Sequence, residues 1–215
     1  MDNYNIVEKG FITLNDKVMV SDPCYGLNTW CQGVLENVLP GKYLCKVGFI
    51  DDRWGTRVAD IRVEYVDSKE IEYDCLEEFE VGVDSGTAGI FDYEYYKKYH
   101  MDSKEWPHVD DNWYNCTGNL TFVTKNNPDY VKFNWDDNAE DMYEQFVRFK
   151  EYEKDIKKSW PTIQYFDANT IDDLGFVSSS GYGDGGYSCW TAHNDDGKVI
   201  GILVEFITEG EEDDE

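Results

Sequence analysis

The chain has 215 residues, enough for one large domain or two small ones with a proper core. Its 45 Asp and Glu against 19 Lys and Arg give a formal charge of −26, and the last seven residues hold six of those acids, so the body alone keeps −20. A surface of that sign repels phosphate backbones, which are held by Lys and Arg in place of counterions, and the expectation is no direct contact with nucleic acid.

No run approaches the length of a membrane span, so no membrane partner is expected. The start, Met1-Asp2-Asn3-Tyr4-Asn5, lacks the basic-then-apolar order of a leader. Both point to a cytoplasmic protein. The six cysteines (24, 31, 45, 75, 116 and 189) are scattered with no C-x-x-C pair, as expected of small apolar residues or free thiols in a reducing compartment. The sequons at Asn115 and Asn119 then carry no meaning.

In chain order, Phe11 to Val20 reads as an opening strand pair turning at Asn15-Asp16. Ser21-Asp22-Pro23-Cys24-Tyr25-Gly26 is a compact turn leaving the second strand, because Pro23 removes a donor and forces Asp22 out of the helical region. Val34–Val38 and Tyr43–Ile50 read as further strands divided by the turn Leu39-Pro40-Gly41-Lys42. After the charged loop 51–57, Val58 to Tyr65 alternates apolar and polar, as a half-exposed strand does. Phe79–Val83 is one more strand, and Asp92 is placed to cap a short helix running to Tyr99.

Plausible strands follow at Leu120–Val123 and Val131–Phe133. The long helix is expected over Ala139–Lys158, with an apolar stripe from Ala139 through Met142, Phe146 and Phe149, an acidic start and a basic end. Gly175 to Phe206 reads as a Gly-rich loop leading into a hairpin. Tyr187–His193 and Lys198–Phe206 are its strands, and Asn194-Asp195-Asp196-Gly197 is its turn. The order of elements predicts one α+β domain over 1–208: a mainly antiparallel sheet or sandwich with one long helix, and 93–171 a candidate insertion. The tail 209–215 is expected to be disordered, since its consecutive carboxylates repel and nothing apolar anchors them.

No established catalytic signature is present: no G-x-S-x-G, no H-E-x-x-H, no phosphate-binding Gly-Lys-Ser/Thr loop. Histidines 100, 108 and 193 are too scattered to suggest a metal, and no metal or cofactor is expected. Cys24 sits in a strained turn where a nucleophile is conceivable, but the neighbouring Asp22 raises a thiol's pKa and works against a thiolate. Asp22, Asp84 with Ser85, and Asp184 with Tyr187 each combine a carboxylate with small residues at a strand end. If those ends meet, the three acids form a cluster able to hold a cation or a ligand. Singly, each has the composition of an Asp that bonds its own turn.

Four ordered motifs resemble an uncharacterised family of small bacterial and bacteriophage proteins, carried as a domain of unknown function. They are Ser21-Asp22-Pro23-Cys24-Tyr25, Trp54-Gly-x-Arg57-Val-Ala59, Val83-Asp84-Ser85-Gly86-x-Ala88-Gly89-x-Phe91-Asp92, and Ser178 to Tyr187. The resemblance covers roughly 10–92 and 172–207 and implies a phage or bacterial cytosolic protein, in the host cytoplasm if phage-encoded. It brings no catalytic residues to transfer.

Two classes of function remain. One is a non-enzymatic acidic protein that binds and inhibits a host defence or nucleic-acid-binding protein, its carboxylates taking the place of phosphates in a basic groove. The other is a pocket for a small anionic ligand such as a nucleotide-like signal, binding or hydrolysing it. That pocket is built from Asp22, Cys24, Tyr25, Asp84, Ser85, Asp184 and Tyr187, with Trp54 as a stacking face and Arg57 as a cation. A toxin-immunity protein is a weaker third.

Overall fold

The structure, a computed structural model, describes residues 4–23, 25–53, 55–74, 78–99 and 168–208. The described residues of 4–23, 30–96 and 168–208 belong to one compact unit, and 25–29 and 97–99 fall to a second. The strands expected at Leu120–Val123 and Val131–Phe133, the helix expected at Ala139–Lys158 and the acidic tail lie outside the described residues, as do Cys24 and Trp54.

Eleven strands are described: β1 (Tyr4–Leu14), β2 (Val18–Ser21), β3 (Gly33–Leu35), β4 (Gly41–Asp52), β5 (Gly55–Tyr65), β6 (Phe79–Val83), β7 (Thr87–Asp92), β8 (Ala168–Ile171), β9 (Gly175–Ser179), β10 (Gly185–His193) and β11 (Val199–Glu205). The one described helix, α1, is short, Tyr93–Tyr99. The strands form a six-stranded sheet, β1-β4-β5-β11-β10-β6, and a five-stranded sheet, β3-β2-β7-β9-β8. All neighbours in both sheets are antiparallel. The mainly antiparallel architecture is as expected.

Strand alternation turns one face of each sheet inward, and those faces share a core. The larger sheet contributes Ile12, Leu14, Cys45, Val47, Ile61, Val63, Val81, Cys189, Ile202 and Val204, and the smaller contributes Val18, Val20, Ala88, Ile90 and Phe176. Tyr43, fully buried, reaches its hydroxyl to the Leu39 carbonyl at 2.7 Å. Phe79 on β6 lies so close over β3 that a Cβ on Gly33 would stand 1.7 Å from its ring.

Three expectations need correction. β1 and β2 do not pair: the Asp92 carboxylate takes both the Asn15 backbone N–H (3.0 Å) and its side-chain amide (2.8 Å), and Val18 pairs with Asp92 in the other sheet. Nor do β3 and β4 form a hairpin around Pro40. The Val38 N–H bonds the Asp16 carbonyl and the Leu39 N–H the Val199 carbonyl, so the link crosses between sheets. The segment before the Gly-rich loop is not a simple lead-in either. Gly175–Ser179 is a full strand with β8 on one side and β7 on the other. The expected cap is present, with Asp92 Oδ1 accepting the Tyr95 N–H at 3.1 Å, at the third position of α1.

Candidate functional site

Asp22 lies where β2 ends, pushed from helical geometry by Pro23, and it is fully buried. Its Oδ2 accepts the backbone N–H groups of Asp84 (2.9 Å) and Ser85 (2.7 Å), and its Oδ1 accepts the Ser85 hydroxyl (2.8 Å). The Ser85 hydroxyl is also 2.6 Å from that of Thr87. Residues 84–86 link β6 in the larger sheet to β7 in the smaller one, so a buried carboxylate fixes a crossover between sheets.

A second crossover, from β9 to β10, runs beside the first. The Ser180 N–H bonds the Gly86 carbonyl at 3.1 Å, and a Cβ on Gly86 would lie 3.8 Å from the Gly183 Cα. This loop is closed on itself: the Gly183 N–H bonds the Ser180 carbonyl (2.8 Å), and the Ser180 hydroxyl bonds the Gly183 carbonyl (2.8 Å). The Tyr187 hydroxyl reaches back to the Gly183 carbonyl at 2.7 Å while its ring packs edge-on against Phe206. Burial pushes the Tyr187 pKa up, the hydrogen bond to Ser180 opposes this, and the Asp184 charge adds to the rise. Gly183 has a φ of 116°, a backbone that favours glycine.

The three Asp-containing loops therefore come together, but their aspartates differ in kind. Asp22 is an internal tie, whereas Asp84 and Asp184 are exposed. Among the described residues, which include all three, no group of three or more His, Cys, Asp and Glu side chains is gathered to hold a metal. Ser85 is half-buried and holds Asp22. Tyr25 is buried and belongs to the second unit. Arg57 is half-buried on β5, two residues before Ala59, whose carbonyl bonds the Phe206 N–H beside the second crossover.

Several residues of this end were not singled out from the sequence. The Gln32 side-chain amide donates to the Ser21 hydroxyl (2.9 Å) and lies 3.1 Å from the Tyr96 hydroxyl, which in turn bonds the Asp22 carbonyl at 3.1 Å. Trp30 is 93% exposed and Tyr182 62% exposed. Nothing local in the sequence marks Gln32 as a partner of Ser21, or Tyr96 as a partner of Asp22, 74 positions away.

A separate polar group lies on the outer face of the larger sheet. Asp60, only 4% exposed, takes Arg62 through Nε (2.8 Å) and Nη2 (2.6 Å), and takes the Tyr4 hydroxyl at 2.5 Å. Asp60 and Arg62 stand two apart on one strand and so share a face, a signal the sequence carried. Burial, then the Asp60 carboxylate, pushes Tyr4 above its ordinary range. Burial works against the Arg62 charge, and Asp60 more than offsets it, leaving the guanidinium pKa raised. Mutual satisfaction makes this group a clamp on β1, β4 and β5.

No helix among the described residues is long and apolar enough to cross a membrane. No curated protein and no solved structure matches the chain. Residues 14–204 match the model of a family described as a protein of unknown function (DUF4241), and the chain belongs to that family. The match runs from the last residue of β1 into β11 and takes in both crossovers.

Proposed function

We propose that this family member is a non-enzymatic interaction protein that docks on the basic surface of another protein, of the kind a bacteriophage makes to occupy a host defence or nucleic-acid-binding protein. The observation that supports it is where the carboxylates stand. Exposed acids crown the turns at both ends of the sandwich: Asp84 and Asp184 at one, Asp16, Asp172, Asp173, Asp195 and Asp196 at the other. The buried acid of the crossover cluster, Asp22, is spent on backbone donors rather than offered to a ligand. A rigid fold presenting carboxylates complements a groove built to receive phosphates, and cytoplasmic encounter follows naturally.

The test is association kinetics with the partner recovered from a host lysate. Long-range attraction decays over about 8 Å at physiological salt, so the association rate should fall about tenfold or more from low to high salt while dissociation changes less. Removing Glu209–Glu215 should weaken binding less than reversing several body acids, since the body holds −20 of the −26. An affinity indifferent to ionic strength would refute the proposal.

A second reading, a small-ligand domain at the same end, draws support from the adjacency of the Asp84 and Asp184 turns. It requires that Asp184→Ala abolish calorimetric binding of a nucleotide while leaving the melting temperature unchanged.

A further inference from the structure

Trp30 leaves nearly its whole indole in water, which forgoes the roughly 1.5–3 kcal/mol that burying a large apolar side chain contributes. Its place is fixed by its neighbour. The Cys31 carbonyl accepts the Gly82 N–H at 3.0 Å, and a Cβ on Gly82 would stand 2.7 Å from the Cys31 Cβ. Gly82 lies on β6 two residues before Asp84, opposite Gly186 on β10. Tyr182 belongs to the neighbouring crossover, next to the Gly183 that lies against Gly86. The two most exposed aromatics of the described chain thus stand on segments anchored at this end, Trp30 beside β6 and Tyr182 on the second crossover, and the exposed carboxylates Asp84 and Asp184 stand on the two crossovers.

The chemistry of this end is selective. Aromatic faces attract cations, arginine more than lysine, because a planar guanidinium stacks on an indole while still donating in-plane hydrogen bonds. Carboxylates accept such a fork in bidentate fashion. Exposed Trp and Tyr beside acids therefore complement an arginine and discriminate against a lysine, a compact and strongly hydrated point charge. The opposite end carries Asp172, Asp173, Asp195 and Asp196, and its turns show no comparably exposed Trp or Tyr among the described residues.

We propose that the Trp30–Tyr182 end of the sandwich is the face that meets the partner, and that it takes an arginine-bearing segment of that protein, stacked on the aromatics and held by Asp84 and Asp184. This rests on the interaction reading above and adds to it a location and a residue preference.

The test uses the full chain with two synthetic probes of equal length, an oligo-arginine and an oligo-lysine nonapeptide, titrated at two salt concentrations. The arginine peptide should bind several-fold more tightly. Trp30→Ala should cost it about two- to five-fold, the size of an exposed cation–π contact, and Tyr182→Ala a similar or smaller factor, so that the preference over lysine disappears. Asp84→Asn with Asp184→Asn should weaken both probes, whereas Asp195→Asn with Asp196→Asn should leave the arginine preference intact. All four positions are exposed, and unchanged thermal melts confirm that folding is not at issue. Equal, salt-sensitive binding of both peptides, untouched by Trp30→Ala, would overturn this inference and leave the charge reading standing. Loss of binding only in the Asp195/Asp196 variant would move the face to the other end and overturn it too. No binding of either peptide at low salt would end both proposals.

Discussion

Replacing Asp22 by alanine removes three acceptor contacts at once: the N–H groups of Asp84 and Ser85 and the Ser85 hydroxyl. Hydrogen bonds to a charged group contribute about 1.5–3 kcal/mol each, and a buried donor left unmade costs about 1–3 kcal/mol. The 84–86 turn is partly exposed, so water recovers some of these donors. A net loss of about 3 kcal/mol follows, which in a chain of this size lowers Tm by about 6–12 °C. Asp22→Asn behaves differently. Its carbonyl oxygen occupies the Oδ2 position and keeps both backbone donors, while its amide faces the Ser85 hydroxyl. The Ser85 oxygen then accepts from that amide while its own proton is donated to the Thr87 hydroxyl, since either oxygen of that pair can carry the proton. Only charge is lost, at about 1 kcal/mol. Urea denaturation followed by tryptophan fluorescence and by circular dichroism measures both variants. An Asp22→Ala protein within about 0.5 kcal/mol of the parent would refute the tie. So would an Asn variant as unstable as the Ala variant, because the donor–acceptor geometry would then be irrelevant.

Gly33→Ala drives a methyl into the Phe79 ring, and with β3 and β6 both anchored the expected loss is about 1–3 kcal/mol by overpacking, read as a lower urea midpoint at unchanged slope. Asp92→Ala removes both the α1 cap and the tie to Asn15, so a loss of about 2 kcal/mol is expected, larger than a cap alone explains. At Glu205, burial raises the carboxyl pKa, the nearby Trp190 indole opposes this without a formed hydrogen bond, the Asp60 charge adds to the rise and Arg62 offsets part. A raised folded-state pKa means the native form holds its proton longer, so stability declines as pH rises from the unfolded pKa through the folded one. Glu205→Gln should therefore stabilise the protein at neutral pH and lose that advantage below about pH 4, where the parent carboxyl is protonated in both states. A pH series of thermal melts checks the sign, and an advantage constant with pH would exclude titration as its source.

How much was legible in the sequence followed the range of the interactions. The Asp92 cap and the Asn194–Gly197 turn are written in adjacent residues, and both formed: the Gly197 N–H bonds the Asn194 carbonyl at 2.9 Å, with Gly197 at a φ of 71°. Val58 to Tyr65 is a strand as expected, but its half-exposed alternation holds only from Ile61 onward, since Val58, Ala59, Asp60 and Ile61 are all buried beside the irregular register opposite Gly48 and Phe49. Strand partners were legible where a tight turn joins them, as in the β10–β11 hairpin, and not elsewhere. Proximity in sequence suggested that β1 would pair with β2, but Asp92, distant along the chain, diverts the link. β8 is four residues, Ala-Asn-Thr-Ile, too short and too mixed to announce a strand. At the candidate site the sequence marked the three aspartates but not their roles, because the donors that claim Asp22 lie 62 and 63 positions away.

The four motifs singled out in the sequence are distributed on a common physical plan. Ser21-Asp22-Pro23 supplies the tie, Asp84-Ser85-Gly86 the first crossover and Ser178 to Tyr187 the second. The Trp-Gly-x-Arg-Val-Ala stretch ends on Ala59, whose carbonyl receives the N–H groups of both Phe206 (2.7 Å) and Ile207 (3.1 Å) as the chain leaves β11. Each motif thus secures a place where the chain departs from a sheet at one end of the sandwich. Trp30, Asp84, Tyr182 and Asp184 are displayed on that frame. A surface carried on tied turns is ordered before it meets a partner, so less conformational entropy is lost on binding than from mobile loops. This links the joint to the proposed interface. Asp22→Ala should weaken the arginine probe although Asp22 never touches it, and Asp22→Asn, which keeps the Asp84 turn in place, should not. If the two variants bind alike while differing in stability, the frame and the binding surface are independent, and the motifs serve the fold alone.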